Sequence, residues 1–212
     1  MPDSTAPGPA TSWTVVVPVK RLDGAKSRLS TRAAAVRRDL SLAFALDTVA
    51  AALAAGPAVH VVTDDERVAE AVRSLGAAVV TDSSGGGLND ALRLAEDVLR
   101  AGGAGDLAAL AGDLPALRPG ELAAALAEAG EHARAFVPDA VGTGTTLLCA
   151  RAGTPLDPRF GARSCAAHAS SGAARLSAPG AAGLRRDVDT EVDLWDAVRL
   201  GVGPATAALT GP

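Results

Sequence analysis

The sequence predicts a single α/β domain built on a mostly parallel sheet with helices on both faces. Three observations carry this. Short apolar runs alternate with segments of helical periodicity almost from the start, which is the pattern of strands joined by crossover helices. The chain has 212 residues, most simply one domain and long enough to bury roughly 70% of the surface its unfolded form exposes. It is 48% hydrophobic but only 2% aromatic, so alanine, valine and leucine must form the core, and small side chains suit helices packed closely on a sheet.

The first element is the apolar run Trp13-Thr-Val-Val-Val-Pro18, a buried strand, and a basic loop follows it. Residues 30 to 55 read as a helix, with Val36, Leu40, Ala43, Phe44, Leu46, Val49 and Leu53 at helical spacing. Val59 to Val62 is a second strand, Asp65 to Leu75 a second helix and Ala77 to Thr81 a third strand. After the loop Asp82 to Gly87, Leu88 to Arg100 is a third helix and Leu107 to Ala111 a fourth strand, ending at Gly112-Asp113. Pro119 to Glu131 opens with proline at a helix start, where its missing N–H costs nothing. Ala135 to Val137 and Thr145 to Cys149 are further strands, and Arg151 to Ser171 is mostly loop with a short helix. Asp193 to Leu200 is a final helix. Residues 1–12 read as a disordered leader, 13–204 as the domain and 205–212 as a flexible tail.

Composition bounds the function. A formal net charge of -4 argues against a nucleic-acid polymer as partner, because such proteins usually carry a basic surface. Cys149 lies in a strand-like run and Cys165 in a polar loop; two cysteines make no disulfide framework, and a reducing cytoplasm is the default. The leader has neither a basic region nor an apolar core, so it is no signal peptide. The most apolar stretch, Ala43 to Val62, is interrupted by Asp47, Gly56, Pro57 and His60 and does not predict a membrane span.

Positive charge is local. Both lysines, Lys20 and Lys26, lie in Pro18-Val-Lys-Arg-Leu-Asp-Gly-Ala-Lys-Ser-Arg-Leu29, beside Arg21 and Arg28, while the other 18 of the 20 cations are arginine. A basic, glycine-containing loop leaving a first parallel strand is where α/β folds hold phosphate. Asp113, just past the fourth strand, fits a ligand of a nucleotide-bound magnesium ion or an ordinary turn aspartate. In Arg185-Arg-Asp-Val-Asp-Thr190, Asp187 and Asp189 alternate, so an extended segment points both carboxylates one way and turns Val188 inward. Such a pair repels without a cation between its members; alternatively, Asp189 or Thr190 starts the final helix as its cap.

Gly142-Thr-Gly-Thr-Thr-Leu147 and Phe160-Gly-Ala-Arg-Ser164 offer hydroxyls and backbone N–H groups to a phosphate, though either alone is ordinary turn chemistry. Gly87 and Asn89 lie where the third helix begins, with Asn89 either a cap or a contact to a nucleotide base. No Gly-x-Ser-x-Gly elbow is present, which disfavours a serine hydrolase. Among the histidines, without metal-ligand spacing, only His168 near Ser164 is retained as a remote candidate.

Taken together, Val17 to Leu29, Gly86 to Asn89, Ala111 to Pro115, Gly142 to Thr146, Arg159 to Gly161 and Asp187 to Thr190 resemble the guanylyltransferases of deazaflavin coenzyme (F-420) biosynthesis over about residues 13 to 204. The resemblance implies a nucleotidyltransferase fold (GT-A-like, Rossmann-like). It implies transfer of GMP from GTP to a three-carbon phospho-acid, with magnesium held by Asp113, Asp187 and Asp189. It also implies an acceptor site at Thr145, Gly161 and Ser164, with Thr146 adjacent to the threonine. The basic loop supplies Lys20, Lys26 and Arg28 for the leaving pyrophosphate, and Lys26 is expected to be catalytic with the aspartates.

The acceptor itself stays open among phosphoenolpyruvate, 2-phospho-L-lactate and 3-phosphoglycerate. The arginine- and alanine-rich composition suggests a high-GC, actinobacteria-like background, and the resemblance implies phosphoenolpyruvate there, because family members from such backgrounds are associated with it. Rival readings are a non-catalytic nucleotide-sensing module and a sugar-phosphate or molybdopterin nucleotidyltransferase. The oligomeric state is open too, a homodimer included.

Overall fold

Seven strands order as β3-β2-β1-β4-β6-β5-β7 in one sheet. A computed structural model of the chain describes residues 13–22 and 33–211, so the expected leader lies outside the described residues. Strands β1 (Trp13–Pro18), β2 (Ala58–Thr63), β3 (Ala78–Thr81) and β4 (Asp106–Leu110) are mutually parallel, with Val16 opposite both His60 and Ala109. β6 (Thr145–Ala150) runs antiparallel to β4 and to β5 (Arg134–Pro138), and the two-residue β7 (Ala174–Arg175) completes the far edge parallel to β5. The expected mostly parallel sheet is therefore present, with β6 the one reversed strand.

Both faces are covered, which is why β1 reads as an unbroken valine run: Val15, Val16 and Val17 are all buried. On one face α1 (Ala34–Ala54), α2 (Glu66–Ser74), α4 (Pro119–Ala129) and α6 (Ala182–Arg185) pack Val49, Val68, Val72, Leu122 and Leu184 against Val15, Val17 and Leu110. On the other face, α3 (Leu88–Ala101) and α5 (Ser164–Ser170) pack Leu92, Ala95, Leu99 and Cys165 against Val16, Leu107, Phe136 and Leu148. A third cluster joins Leu40 and Phe44 of α1 to Val188 and to Leu194 and Ala197 of α7 (Glu191–Leu200).

Several expectations need correction. The tail is not loose: Pro204–Thr210 forms α8, which packs on α1. Its small residues carry no apolar stripe, and what holds it is remote: the buried Asp47 carboxylate of α1 accepts the Ala205 and Thr206 backbone N–H groups at 3.0 and 2.8 Å. Asp47 thus caps a helix from another part of the chain, satisfying donors that a helix start leaves unpaired. Cys165 lies not in a polar loop but buried in α5, and both cysteines are free thiols. β7 and α6 were not expected; two and four residues are too few to display a period. Among the described residues no helix is long and apolar enough to cross a membrane.

Candidate active site

Strand order reverses between β1 and β4, since the chain leaves β1 for β2 on one side and returns to β4 on the other. Ligands of open α/β sheets gather beyond the carboxyl ends of strands at such a point. Lys20 stands exposed just past β1, and Asp113 lies just past β4. Gly112 lets the two strand ends approach: a Cβ there would come within 2.9 Å of the Pro18 carbonyl oxygen. Beyond Lys20 the chain is anchored to the end of β2, where Arg21 pairs with Asp64 at 3.4 Å and the Leu22 N–H donates to Asp65 at 3.0 Å. Lys26 and Arg28 lie outside the described residues.

The three expected aspartates meet at this edge although Asp113 and Asp187 lie far apart in sequence. The Val188 backbone N–H donates to the Asp113 carbonyl oxygen at 3.1 Å, which pins the 187–189 segment beside the β4 loop. Val188 turns inward and is fully buried, as the alternation predicts. Asp187 bears the consequence. Burial, then the neighbouring carboxylates of Asp113, Asp189 and Asp139, push its carboxyl up from 3.8 to about 7. Capping falls to Thr190, whose hydroxyl oxygen accepts the Asp193 N–H at 3.3 Å while the Asp193 carboxylate accepts the Thr190 N–H at 2.8 Å.

Asp139 was missed by the sequence reading. It follows β5 and organises the β5–β6 turn, its carboxylate accepting from the backbone N–H groups of Gly142, Thr143 and Gly144 at 2.6, 2.8 and 2.8 Å. The expectation that these N–H groups are free for a phosphate is therefore overturned. An aspartate three to five residues before the members of a Gly-Thr-Gly turn was the available signal, because such side chains commonly fold back on following N–H groups.

The expected acceptor residues also converge. A β-bulge at Thr146 breaks the β5–β6 register, with Leu147 opposite Val137 but Thr145 opposite Pro138. Thr146 is left wholly buried with no partner for its hydroxyl, whereas Thr145 keeps 8% exposure and hydrogen-bonds His168 Nδ1 at 2.9 Å. His168 lies on α5, one turn after Ser164. The Cys165 N–H donates to the Thr143 carbonyl at 3.1 Å and the Ser164 N–H to the Gly161 carbonyl at 3.1 Å, tying the two loops together. Gly161 sits at a φ of +132° and Arg163, at a φ of 59°, is held left-handed immediately before Ser164, a strained conformation of the kind found where a loop must present a ligand contact.

Gly87 is the N-cap of α3, and its N–H donates to Asp90 at 3.2 Å. Asn89 neither caps nor points freely at a base. Its side-chain amide donates to the Phe160 carbonyl at 3.0 Å and accepts the Phe160 N–H at 2.8 Å, so it braces the Gly161 loop against α3. Its role in this geometry is support of the Phe160–Gly161 loop.

Burial first, and then the carboxylates of Asp113, Asp189 and Asp139, hold a proton on Asp187 near neutrality, and hard oxygen donors of this kind are ones a divalent cation could take. Among the described residues no group of three or more His, Cys, Asp or Glu side chains is arranged to hold a metal ion.

Comparison with known proteins identifies the family. The family model described as "Guanylyl transferase CofC like" matches residues 13–201. The chain is 55% identical over 202 residues to a phosphoenolpyruvate guanylyltransferase of Streptomyces coelicolor, covering 93% of this chain and 95% of that one. It is 53% identical over 204 residues to a protein of the same name from Salinispora arenicola, covering 94% of each. In fold it is similar to a solved protein from Desulfovibrio desulfuricans G20 described as a nucleotide-diphospho-sugar transferase, with a TM-score of 0.72 at 17% identity over 95% of this chain and 94% of that one. A domain with a nucleotidyltransferase fold, an acidic edge at its switch point and a hydroxyl loop beside it, this chain belongs to the CofC-like guanylyl transferase family.

Proposed function

We propose that the protein transfers GMP from GTP to the phosphate of phosphoenolpyruvate, forming enolpyruvoyl-diphospho-guanosine and releasing pyrophosphate, in coenzyme F-420 biosynthesis. The observation that carries this is the meeting of Asp113, Asp187 and Asp189 beside the Thr145–Ser164 loops at the sheet's switch point. The names of the relatives favour phosphoenolpyruvate as acceptor. Soluble, cytoplasmic chemistry suits two buried free thiols.

A phosphate oxygen of the acceptor attacks the α-phosphorus of GTP. The new oxygen–phosphorus bond forms as the bond to the β-phosphate oxygen breaks, and the electron pair leaves with pyrophosphate. No covalent intermediate with the chain is needed, so catalysis is positioning and charge neutralisation. Magnesium, when bound by Asp113, Asp187 and Asp189, supplies the positive charge that lets two anions meet. Thr145, Ser164 and the Gly161 backbone orient the phospho-acid. Lys20, with Lys26 and Arg28 of the same loop, takes up charge on the departing pyrophosphate.

The test is incubation of the protein with GTP, magnesium and each phospho-acid in turn, followed by pyrophosphate release and product mass. Turnover with phosphoenolpyruvate is expected. Turnover only with 2-phospho-L-lactate or 3-phosphoglycerate would change the acceptor and keep the chemistry. GTP binding without turnover on any of the three would favour a nucleotide-sensing module.

A further inference from the structure

We infer that His168 is a positioning residue for the acceptor: it holds the Thr145 hydroxyl oxygen from behind, so that the hydroxyl proton is aimed at the phospho-acid. This rests on the reading of Thr145 as an acceptor contact, and it adds what makes that contact directional.

The hydrogen-bond partners settle the direction of every proton in the chain. Arg159 offers a backbone N–H to His168 Nε2 at 2.9 Å. A backbone N–H can only donate, so Nε2 is the bare, accepting nitrogen and the imidazole is neutral, with its one proton on Nδ1. Nδ1 lies 2.9 Å from Thr145 Oγ1, and the ring therefore donates to the hydroxyl oxygen. Thr145 cannot return its own proton to a nitrogen that already carries one. That proton must point elsewhere; the turn that leads into Thr145 is tied to the start of α5, the Thr143 carbonyl accepting the Cys165 N–H at 3.1 Å, so the Ser164 loop lies beside it. An anionic oxygen placed there receives an oriented O–H donor.

The surroundings keep the imidazole in this state. His168 is completely buried, with the Phe160 ring edge-on at 5.1 Å and the Phe136 ring tilted at 5.9 Å. The charged groups facing it are Arg134 of β5 and Asp157 and Arg159 of the preceding loop. Burial first, then the Arg134 guanidinium, push the imidazolium down to about 4, against the pull of Asp157. Across the working range the ring stays a neutral Nδ1–H donor. The same residue joins two loops, since Nε2 holds the Arg159 backbone that leads into Phe160 and Gly161. A ligating group oriented by a fixed histidine tautomer is a familiar device at metal centres; here it acts on a substrate-facing hydroxyl.

The experiment has a spectroscopic and a kinetic arm. Nitrogen-15 NMR of the histidine-labelled full chain reads the tautomer of His168 without any substrate, its ring assigned by loss of the signal in His168→Gln. A protonated Nδ1 and bare Nε2 between pH 6 and 8 is expected; a proton on Nε2, or a charged ring, overturns the inference. In kinetics, His168→Gln keeps an acceptor for the Arg159 N–H but loses the donor to Thr145, whereas His168→Asn places an N–H near the position of Nδ1. His168→Gln is expected to raise the KM for phosphoenolpyruvate about 10-fold, the size of one lost hydrogen bond to a charged ligand, with the KM for GTP unchanged. His168→Asn should raise it less. In a Thr145→Val background, His168→Gln should add little more. A full further increase in that background would show that the histidine acts on the fold rather than through Thr145. Should His168→Gln fail to fold, the wild-type tautomer still decides, with assignment taken from His60 and His132 variants. Thr145→Val with an unchanged KM for the phospho-acid would remove Thr145 from the acceptor site and the inference with it, whereas the wrong tautomer removes the inference alone.

Discussion

The two sides of the candidate site are built on opposite electrostatic plans. On the acidic side, burial first and then three neighbouring carboxylates keep a proton on Asp187 up to about pH 7. On the hydroxyl side the polar groups largely answer one another: Asp139 takes three backbone N–H groups, His168 joins Thr145 to Arg159, and Asn89 pairs with both polar groups of the Phe160 peptide. One side gathers negative charge; the other is braced by hydrogen bonds before any ligand arrives. A site that must bring two anions together needs both, because charge has to come from outside while geometry has to exist beforehand.

The largest expected effect breaks the acidic side. Asp187→Asn should lower turnover by at least roughly 10²–10³-fold, the scale seen when a group that stabilises transition-state charge is removed, and Asp113→Asn and Asp189→Asn should behave alike. Double variants should lose little more than single ones, since the carboxylates act as a unit. Steady-state rates at saturating GTP and magnesium check this, and full activity in any one variant removes that residue from the site.

The same crowding predicts a pH dependence with a definite sign. The folded carboxyl of Asp187 titrates at about 7 and the unperturbed group at 3.8. Between those values the folded chain binds more protons than the unfolded one, so this group's contribution to stability falls as pH rises and levels off above about 7. In chelator, the melting temperature of wild type relative to Asp187→Asn should therefore decline from pH 4 to 7. Magnesium at pH 8 should raise the wild-type value and leave that of Asp187→Asn nearly unmoved. A wild-type-minus-variant difference that is flat with pH would mean that Asp187 is an ordinary carboxylate.

On the hydroxyl side the effects should be smaller and should fall on stability and acceptor binding together. Asp139→Ala leaves the Thr143 and Gly144 N–H groups without their acceptor, the Gly142 N–H keeping the backbone carbonyl of residue 139, and should cost about 1–3 kcal/mol in denaturant unfolding, with a raised KM for the phospho-acid. Asn89→Ala should cost about 1 kcal/mol and raise the acceptor KM a few-fold, leaving the KM for GTP untouched. A rise in the KM for GTP instead would restore the contact to a base expected from the sequence.

The parallel half of the fold was legible because its signals are periodic. Valine runs, a proline at Pro119 and helical spacing across Val36 to Leu53 each report a local preference that the fold obeys. The acidic side was legible for a different reason: Asp187 and Asp189 flank a residue that must be buried, and Val188 is. The hydroxyl side was legible only in part. Asp139 had a local signal that went unused, but nothing periodic announces that a bulge will separate Thr145 from Thr146 or that Asn89 will reach a loop 71 residues away. Those are tertiary decisions, made where a polar side chain finds the nearest unpaired backbone group. α8 escaped notice on the same ground, since its capping carboxylate lies on α1.

That remote cap sets an order of events during synthesis. Asp47 is made early, and the N–H groups it serves lie 158 and 159 residues further along the chain. Until they arrive, a carboxylate in the middle of α1 has no donors and must stay in water, because sealing it into apolar surroundings unpaired is costly. The sheet can assemble in the meantime, but the outer side of α1 cannot close. A nascent chain would therefore wait in an open, protease-sensitive state on that side, and a contact of such long range would make its closure slow. A few small residues past Gly203, unremarkable in composition, would act as the latch that ends this exposure.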